Sequence, residues 1–266
     1  MRFVDVKAIC VVAAMSVGPA WATDLPMPYK ARPVVTAAPA LYSWTGFYAG
    51  VNLGGGWVKT DDSDTFSAAI GGGGTFLATP TTSASYSGVV GGAQVGYNWQ
   101  TGHLVFGIEA DIDGSSASGN TSTGCGVAGC TTTGTPAVDA FGTLRGRVGY
   151  AQDNWLFYAT GGFAWQHITN TVADTAAGGT ATVFSTSTTQ GGYVVGLGAE
   201  TAFAPHWTAG IEYLYIDTGT FTLFNGAVPA GVLGVLGAPA GTTATFNDQE
   251  RVQTNIVRAR LNYRFQ

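Results

Sequence analysis

Residues 252–265 alternate side-chain character with a period of two, and every charge from Val257 onward falls on one face. Val257, Ala259, Leu261, Tyr263 and Phe265 form an apolar, aromatic face, whereas Arg258, Arg260, Asn262 and Arg264 form a strongly cationic one. Successive residues of a strand point to opposite sides, so this segment is a strand with one face suited to hydrocarbon and one suited to a polar interior. A half-buried soluble strand carries the same pattern with the faces exchanged. The remainder of the chain decides between the two.

Seven further strand candidates precede it, and six of them alternate in the same way. The first, residues 46–58, sets Phe47, Ala49, Val51, Leu53 and Trp57 against Tyr48, Gly50, Asn52 and Gly54. The second, 87–100, sets Val89, Val95, Tyr97 and Trp99 against Gln94 and Asn98; the third, 103–113, sets Leu104, Phe106, Ile108, Ala110 and Ile112 against Glu109 and Asp111. In the fourth, 138–151, Leu144, Val148 and Tyr150 oppose Thr143, Arg145 and Arg147. The fifth, 155–168, is apolar on both faces, which leaves its orientation open. The sixth, 191–204, opposes Tyr193, Val195, Leu197 and Phe203 to Glu200, and the seventh, 207–217, opposes Trp207, Ile211, Tyr213 and Tyr215 to Glu212. Each supplies the ~9–11 residues that a tilted membrane strand needs.

The connections alternate in length. Thr101-Gly102, Gln152-Asp153-Asn154 and Pro205-His206 are short, whereas residues 59–86, 114–137, 169–190 and 218–250 are long and rich in Gly, Ser and Thr. Bacterial barrels have short periplasmic turns and longer extracellular loops, and an even strand count returns both chain ends to the periplasm. Tyr97, Trp99, Tyr150, Trp155, Phe203, Trp207, Tyr263 and Phe265 crowd the strand ends beside the short turns, where an interfacial aromatic girdle belongs. The expected fold is therefore all-β: an eight-stranded, antiparallel, up-and-down transmembrane β-barrel. A soluble lipocalin-like barrel has the inverse arrangement, apolar inside and charged outside. Only 10% of the residues are charged, against about 25% in a typical soluble domain, too few to coat such an exterior. The net charge of −5 argues against nucleic acid as a partner, which calls for basic patches.

The chain start reads as an export signal. Arg2 and Lys7 are the positive region, residues 8–17 the apolar core, and Ala20-Trp21-Ala22 a small-residue cleavage site before Thr23. The apolar run is too short to span a membrane, and no later segment offers ~20 uninterrupted apolar residues. Residues 1–22 are thus expected to be a signal peptide, residues 23–43, with four prolines, an extended periplasmic lead-in, and residues 44–266 the barrel. After cleavage two cysteines remain, Cys125 and Cys130, five positions apart. Two thiols in an exported chain most often pair with each other, and no His stands near them to complete a zinc site. The disulfide Cys125–Cys130 would pin one loop tip.

Counting upward from the short turns brings the inward charges to a common height. Glu109 and Asp111 lie six and eight residues beyond His103; Arg145 and Arg147 lie six and four before Ala151. Glu200 lies four before Ala204, Glu212 five beyond Trp207, and Arg260 and Arg258 five and seven before Phe265. At ~3.4 Å per residue and a tilt near 40°, five residues climb about 13 Å, near the middle of a ~25 Å apolar band. The expected result is a lumen belt of Glu109, Asp111, Arg145, Arg147, Glu200, Glu212, Arg258 and Arg260. In one reading the belt is an ion-paired plug that holds the barrel together; in the other it is a selectivity constriction of a small pore. Catalysis would need a nucleophile, base and orienter at the outer rim. His103 and His206 lie at the short turns and only His167 near the far edge. His167 as a haem ligand lacks an evident second axial ligand. No enzyme activity, metal or cofactor is expected.

The segments Trp44-Thr-Gly-Phe-Tyr-Ala-Gly-Val-Asn52, Gly91-Gly-Ala-Gln-Val-Gly-Tyr-Asn-Trp-Gln100, Gly107-Ile-Glu-Ala-Asp111, Thr143-Leu-Arg-Gly-Arg-Val-Gly-Tyr150 and Tyr158-Ala-Thr-Gly-Gly-Phe-Ala164, with the mature start Asp24-Leu-Pro26, resemble the small outer-membrane β-barrel proteins of α-proteobacteria (the "porin family", opacity-protein-like). The resemblance implies an eight-stranded barrel in the outer membrane, surrounded by its lipid and lipopolysaccharide. It also implies insertion by the barrel-assembly machinery through a C-terminal aromatic signal. Leu261, Tyr263 and Phe265 match that signal's alternation, with Gln266 following the aromatic residue. Members of the family are described as surface antigens, envelope-stabilising proteins, minor porins and, in some branches, haemin binders. The expected roles here are envelope integrity and surface interaction. The alternatives are a minor porin, or a surface-binding module for haemin or a host ligand acting through the long loops.

Overall fold

A computed structural model describes residues 42–70, 75–78, 81–124, 129–176 and 179–265. The expected signal peptide, nearly all of the lead-in, Cys125 and Gln266 lie outside the described residues. In chain order the elements are β1 (Gly46–Ala69), β2 (Thr75–Ala78), β3 (Thr81–Thr101), β4 (Leu104–Ser118), β5 (Thr121–Gly124), β6 (Thr131–Gly134), β7 (Ala137–Gln152), β8 (Trp155–Ala176), β9 (Gly179–Ala204), β10 (Trp207–Ala227), α1 (Ala230–Val235) and β11 (Thr243–Phe265). Eight of the strands are long and hydrogen-bond around a ring in the order β1, β3, β4, β7, β8, β9, β10, β11. Last joins first, antiparallel, from Phe47↔Phe265 to Ala69↔Thr243. Closure leaves no open edge among these eight, the condition for backbone to cross hydrocarbon.

The strand count and lengths correct the sequence reading in two respects. Three short strands join the ring: β2 pairs with the top of β1, and the β5–β6 hairpin adds to the top of β8. The ring strands themselves run to as many as 26 residues, far more than a ~25 Å band requires. Most of the residues expected as long loops are strand instead. Their Thr, Val and Phe content favours extended backbone, and a closed wall below gives each added residue a ready ladder partner. Outside the apolar band the outward positions become Lys59, Asp61, Ser63, Thr65 and Ser67, so the wall continues into water without a hydrophobic exterior.

Side chains within the band are inverted relative to a soluble barrel. Leu53 is 65% and Ile211 66% exposed, whereas Arg145 and Arg258 are each 1% exposed. The fifth alternating segment now has an orientation: Trp155, Phe157 and Phe163 face out, Leu156, Tyr158 and Ala164 face in. The short turns are tight; Thr101↔Leu104 and Gln152↔Trp155 are paired, with Gly102 (φ 62°) and Asp153 (φ 54°) in the left-handed region that Gly and Asp tolerate. His103 donates from Nδ1 to the carbonyl of Ala151, and His206 likewise to that of Arg264. Both histidines thus tie a turn to its neighbouring strand.

The interior is layered, which the sequence reading, expecting a polar lumen throughout, did not include. Inward residues of β11 read, from the short-turn end, Arg264, Asn262, Arg260, Arg258, Ile256, Thr254, Val252, Glu250, Asp248 and Phe246. At the base Trp44, Val105, Leu156 and Ala202 pack together. Above the charges lies an apolar layer of Val90, Phe141, Val194, Leu214, Ile216 and Ile256, and above that a second, including Val58, Val138, Ile168 and Val252. A third apolar cluster at the top joins Phe184 and Leu223 to Val232 and Leu233 of α1.

Candidate functional site: the ion-paired lumen

The charged belt is built by strand alternation and register. Glu109 stands opposite Arg145 across β4–β7, and Glu212 opposite Arg258 across β10–β11. Arg145 contacts three carboxylates: Glu109 at 2.5 Å, Asp111 at 2.7 Å and Glu212 at 3.0 Å. Arg258 contacts Asp111 at 2.8 Å, Asp113 at 2.9 Å and Glu212 at 2.8 Å. Arg260 pairs with Glu109 and, at 2.9 Å, with Glu212. The structure thus brings all eight expected belt residues into one ionic network, with Glu200 at its margin. Arg147 lies at 3.6 Å from Glu109 and reaches Glu200 at 3.5 Å.

Several members of the network were not among the expected residues. Asp113 shares the inward face of Glu109 and Asp111, two residues further on, so alternation alone could have found it. Tyr48 donates to Glu109 (2.6 Å) and Tyr158 to Glu212 (3.0 Å). Their rings flank Arg147, whose guanidinium carbon lies 4.8 and 4.9 Å from the two centroids, a cation–π arrangement that favours arginine. Space for Tyr158 comes from Gly198, where a Cβ would strike the phenol ring. Glu200 accepts from Thr208 and from Asn262 Nδ2, the latter at 2.9 Å. Beneath the belt, Arg264 lies 5.3 Å from the Tyr42 ring and 5.1 Å from the Trp44 ring, closing the periplasmic end.

Chemically this arrangement holds charge and cross-links the wall. Guanidiniums from β7 and β11 bridge carboxylates from β4, β9 and β10, so five of the eight ring strands meet in one network. Inside a narrow barrel such charges persist only when paired, and stripping one partner typically costs ~3–5 kcal/mol. The other expected sites fall elsewhere. His167 is on the outward side of β8, with its Nδ1 at 3.1 Å from Thr189 Oγ1. Among the described residues no group of three or more His, Cys, Asp or Glu is placed to hold a metal ion. Leu261, Tyr263 and Phe265 point outward at the periplasmic end of β11. Cys130 is buried, and its expected pairing with Cys125 lies outside the described residues.

Comparison with known proteins decides the family. A family model described as "Outer membrane protein beta-barrel domain" matches residues 33–265. The chain belongs to this outer-membrane β-barrel family. Within it, the chain is 33% identical to the 31 kDa outer-membrane immunogenic protein of Brucella melitensis over 269 aligned positions, covering 96% of this chain and 97% of that one. It is 30% identical to the 22 kDa outer membrane protein of Rhizobium leguminosarum bv. viciae, covering 66% and 64% of the two chains. Among solved structures, the outer-membrane protease OmpT of Escherichia coli aligns with a TM-score of 0.45 at 10% identity, over 84% of this chain and 98% of that one. The family places this barrel in the outer membrane, with the short-turn end and the barrel's two strand termini on the periplasmic side.

Proposed function

We propose that this protein is a non-conducting barrel that reinforces the outer membrane and presents its extended extracellular wall as a contact surface. The observation that carries the reading is the stack above the belt. Phe141, Leu214, Ile216 and Ile256, all fully buried, sit across the path a hydrated ion would follow, and a second apolar layer follows them. Hydrophobic constrictions close a pore by dewetting, and this stack supplies two in succession. The name of the Brucella relative, an outer-membrane immunogenic protein, supports exposure of the upper wall at the cell surface. The reading includes no enzyme activity: the three histidines serve turns or face outward.

The expected partners follow from the same surfaces: lipid and lipopolysaccharide against the apolar exterior, and the barrel-assembly machinery at Leu261, Tyr263 and Phe265. The pairing of Cys125 with Cys130 also fits, because Gly124 and Thr131 are already cross-strand partners in the β5–β6 hairpin. In a strain lacking this chain, the envelope is expected to become sensitive to detergent and to large antibiotics. Wild-type protein restores resistance and Glu212→Gln does not. Unchanged resistance in the deletion strain would remove the reinforcing role.

A further inference from the structure

Above the second apolar layer the barrel opens into a cavity of about 750 Å³. Its wall is mixed: apolar Phe66, Val172, Val183, Phe246 and Leu233 of α1 share it with Asp62, Asp64, Asp174 and Asp248, the two kinds adjoining along β1, β8 and β11. Glu250 stands directly across from Asp62, and Asp248 across from Asp64, in the β1–β11 ladder. Like charges in directly opposed positions destabilise a sheet, and here no counter-charge offsets them. The cations that adjoin these positions in β1 and β11 are turned outward: Lys59 pairs with Asp61 and Arg251 with Asp217. Among the described residues, no Lys, Arg or His lines the cavity.

Asp174 accepts from Thr132 at 2.6 Å, and Asp64 and Asp248 share a hydrogen bond, yet several polar atoms here lack partners. Asp248 (5% exposed) has a buried Oδ1, and Glu250 (1% exposed) both carboxylate oxygens, without a hydrogen-bond partner. Outside the acidic group, Asn170 lines the cavity, is 8% exposed, and has an unpartnered Oδ1. The phenol of Tyr86, from β3, is similarly unpartnered. Buried polar groups in this state call for a donor. The carboxylates are not gathered as a chelating set for a metal, and half of the wall is hydrocarbon. The volume is that of sites for drug-sized molecules, ~300–1,000 Å³.

We propose that this extracellular vestibule binds an amphipathic organic cation, an amine- or iminium-bearing molecule with an aromatic or aliphatic body. The cationic, hydrogen-donating end faces Asp62, Asp64, Asp248 and Asn170, and the apolar body lies against Val183, Leu233 and Phe246. Occupancy neutralises the like-charge pairs and packs the apolar body against the cluster that lines the cavity.

Ethidium, a fixed aromatic cation with two amino donors, is a suitable probe. It is titrated against the refolded full-length chain in lipid nanodiscs at about pH 8, above the values of about 6 to about 7 to which Asp62, Asp64 and Asp248 are pushed, and followed by fluorescence anisotropy against empty nanodiscs. Saturable binding is expected, weakened about tenfold or more, equivalent to ~1.4 kcal/mol, by the double substitution Asp62→Asn/Asp248→Asn. Leu233→Trp fills the apolar side, keeps every carboxylate, and should weaken binding comparably. The anion 8-anilinonaphthalene-1-sulfonate should not compete. Binding equal to empty nanodiscs, binding unaffected by either variant, or displacement by the anion would overturn the proposal. Tighter binding of Mg²⁺ alone, with ethidium excluded by it, would replace it with a metal site.

Discussion

Glu212 accepts hydrogen bonds from Tyr158 and from three guanidiniums, those of Arg145, Arg258 and Arg260, whereas Glu109 accepts from two. Glu212→Gln leaves three buried guanidiniums short of a counter-charge and is expected to lower unfolding free energy by ~3–5 kcal/mol. Urea titration of the detergent-refolded protein, read by heat-shifted gel mobility, measures it. A loss below ~1 kcal/mol, the value of an exposed pair, would show that the lumen is hydrated. At this scale much was readable beforehand. Period-two alternation and a count from each short turn place Glu109, Arg145, Glu212 and Arg258 at one height. Tyr158 was not readable, because β8 is apolar on both faces and only its neighbours in the ring fix which one turns in. Three-dimensional proximity, such as Arg258 to Asp113 from β4, likewise follows from ring closure and not from any local pattern.

The upper halves of β1 and β11 behave differently from the membrane halves. Burial, then Asp64 and Asp61, pushes Asp62 up to about 7; burial pushes Asp64 to about 6 and, with Asp64 and Asp62, Asp248 to about 7. Burial and then Asp62 push Glu250 up to about 8. In the unfolded chain these groups titrate near ~4. Between about pH 4 and pH 8 the folded rim therefore binds more protons than the unfolded one, and its stability falls as pH rises through that window. The facing groups reinforce this sign: Asp174 from β8 and Tyr86 from β3 bring no positive charge, and Lys59 and Arg251 are engaged outside. Amide protection factors of residues 59–69 and 243–252 are expected to drop from about pH 5 to about pH 8, with those of residues 254–265 unchanged. Protection that rises with pH would contradict the assignment. The sequence showed where the short turns lie because Gly102, Asp153 and Pro205 mark them. It did not show how far the wall continues, since Gly-, Ser- and Thr-rich stretches serve equally as loops or as hydrated strands. Pairing with an already formed neighbour makes them strands.

Across the whole molecule, the barrel is a column of alternating layers: an aromatic base around Arg264, an ionic belt, two apolar layers, an acidic vestibule and an apolar cap under α1. Closure of the ring and the lipid-facing exterior were legible from alternation and turn lengths. The layering was not, because Val90, Phe141 and Ile256 fall on strand faces whose lower halves are polar. Layering is also what separates a sealed barrel from a pore. Single-channel recording in a planar bilayer, with the refolded barrel confirmed by heat-shifted mobility, tests this most directly. A folded protein without unitary openings is expected, both as wild type and with Arg258→Ala. Discrete openings whose conductance or ion selectivity changes with Arg258→Ala would make the belt a filter and contradict the sealed column.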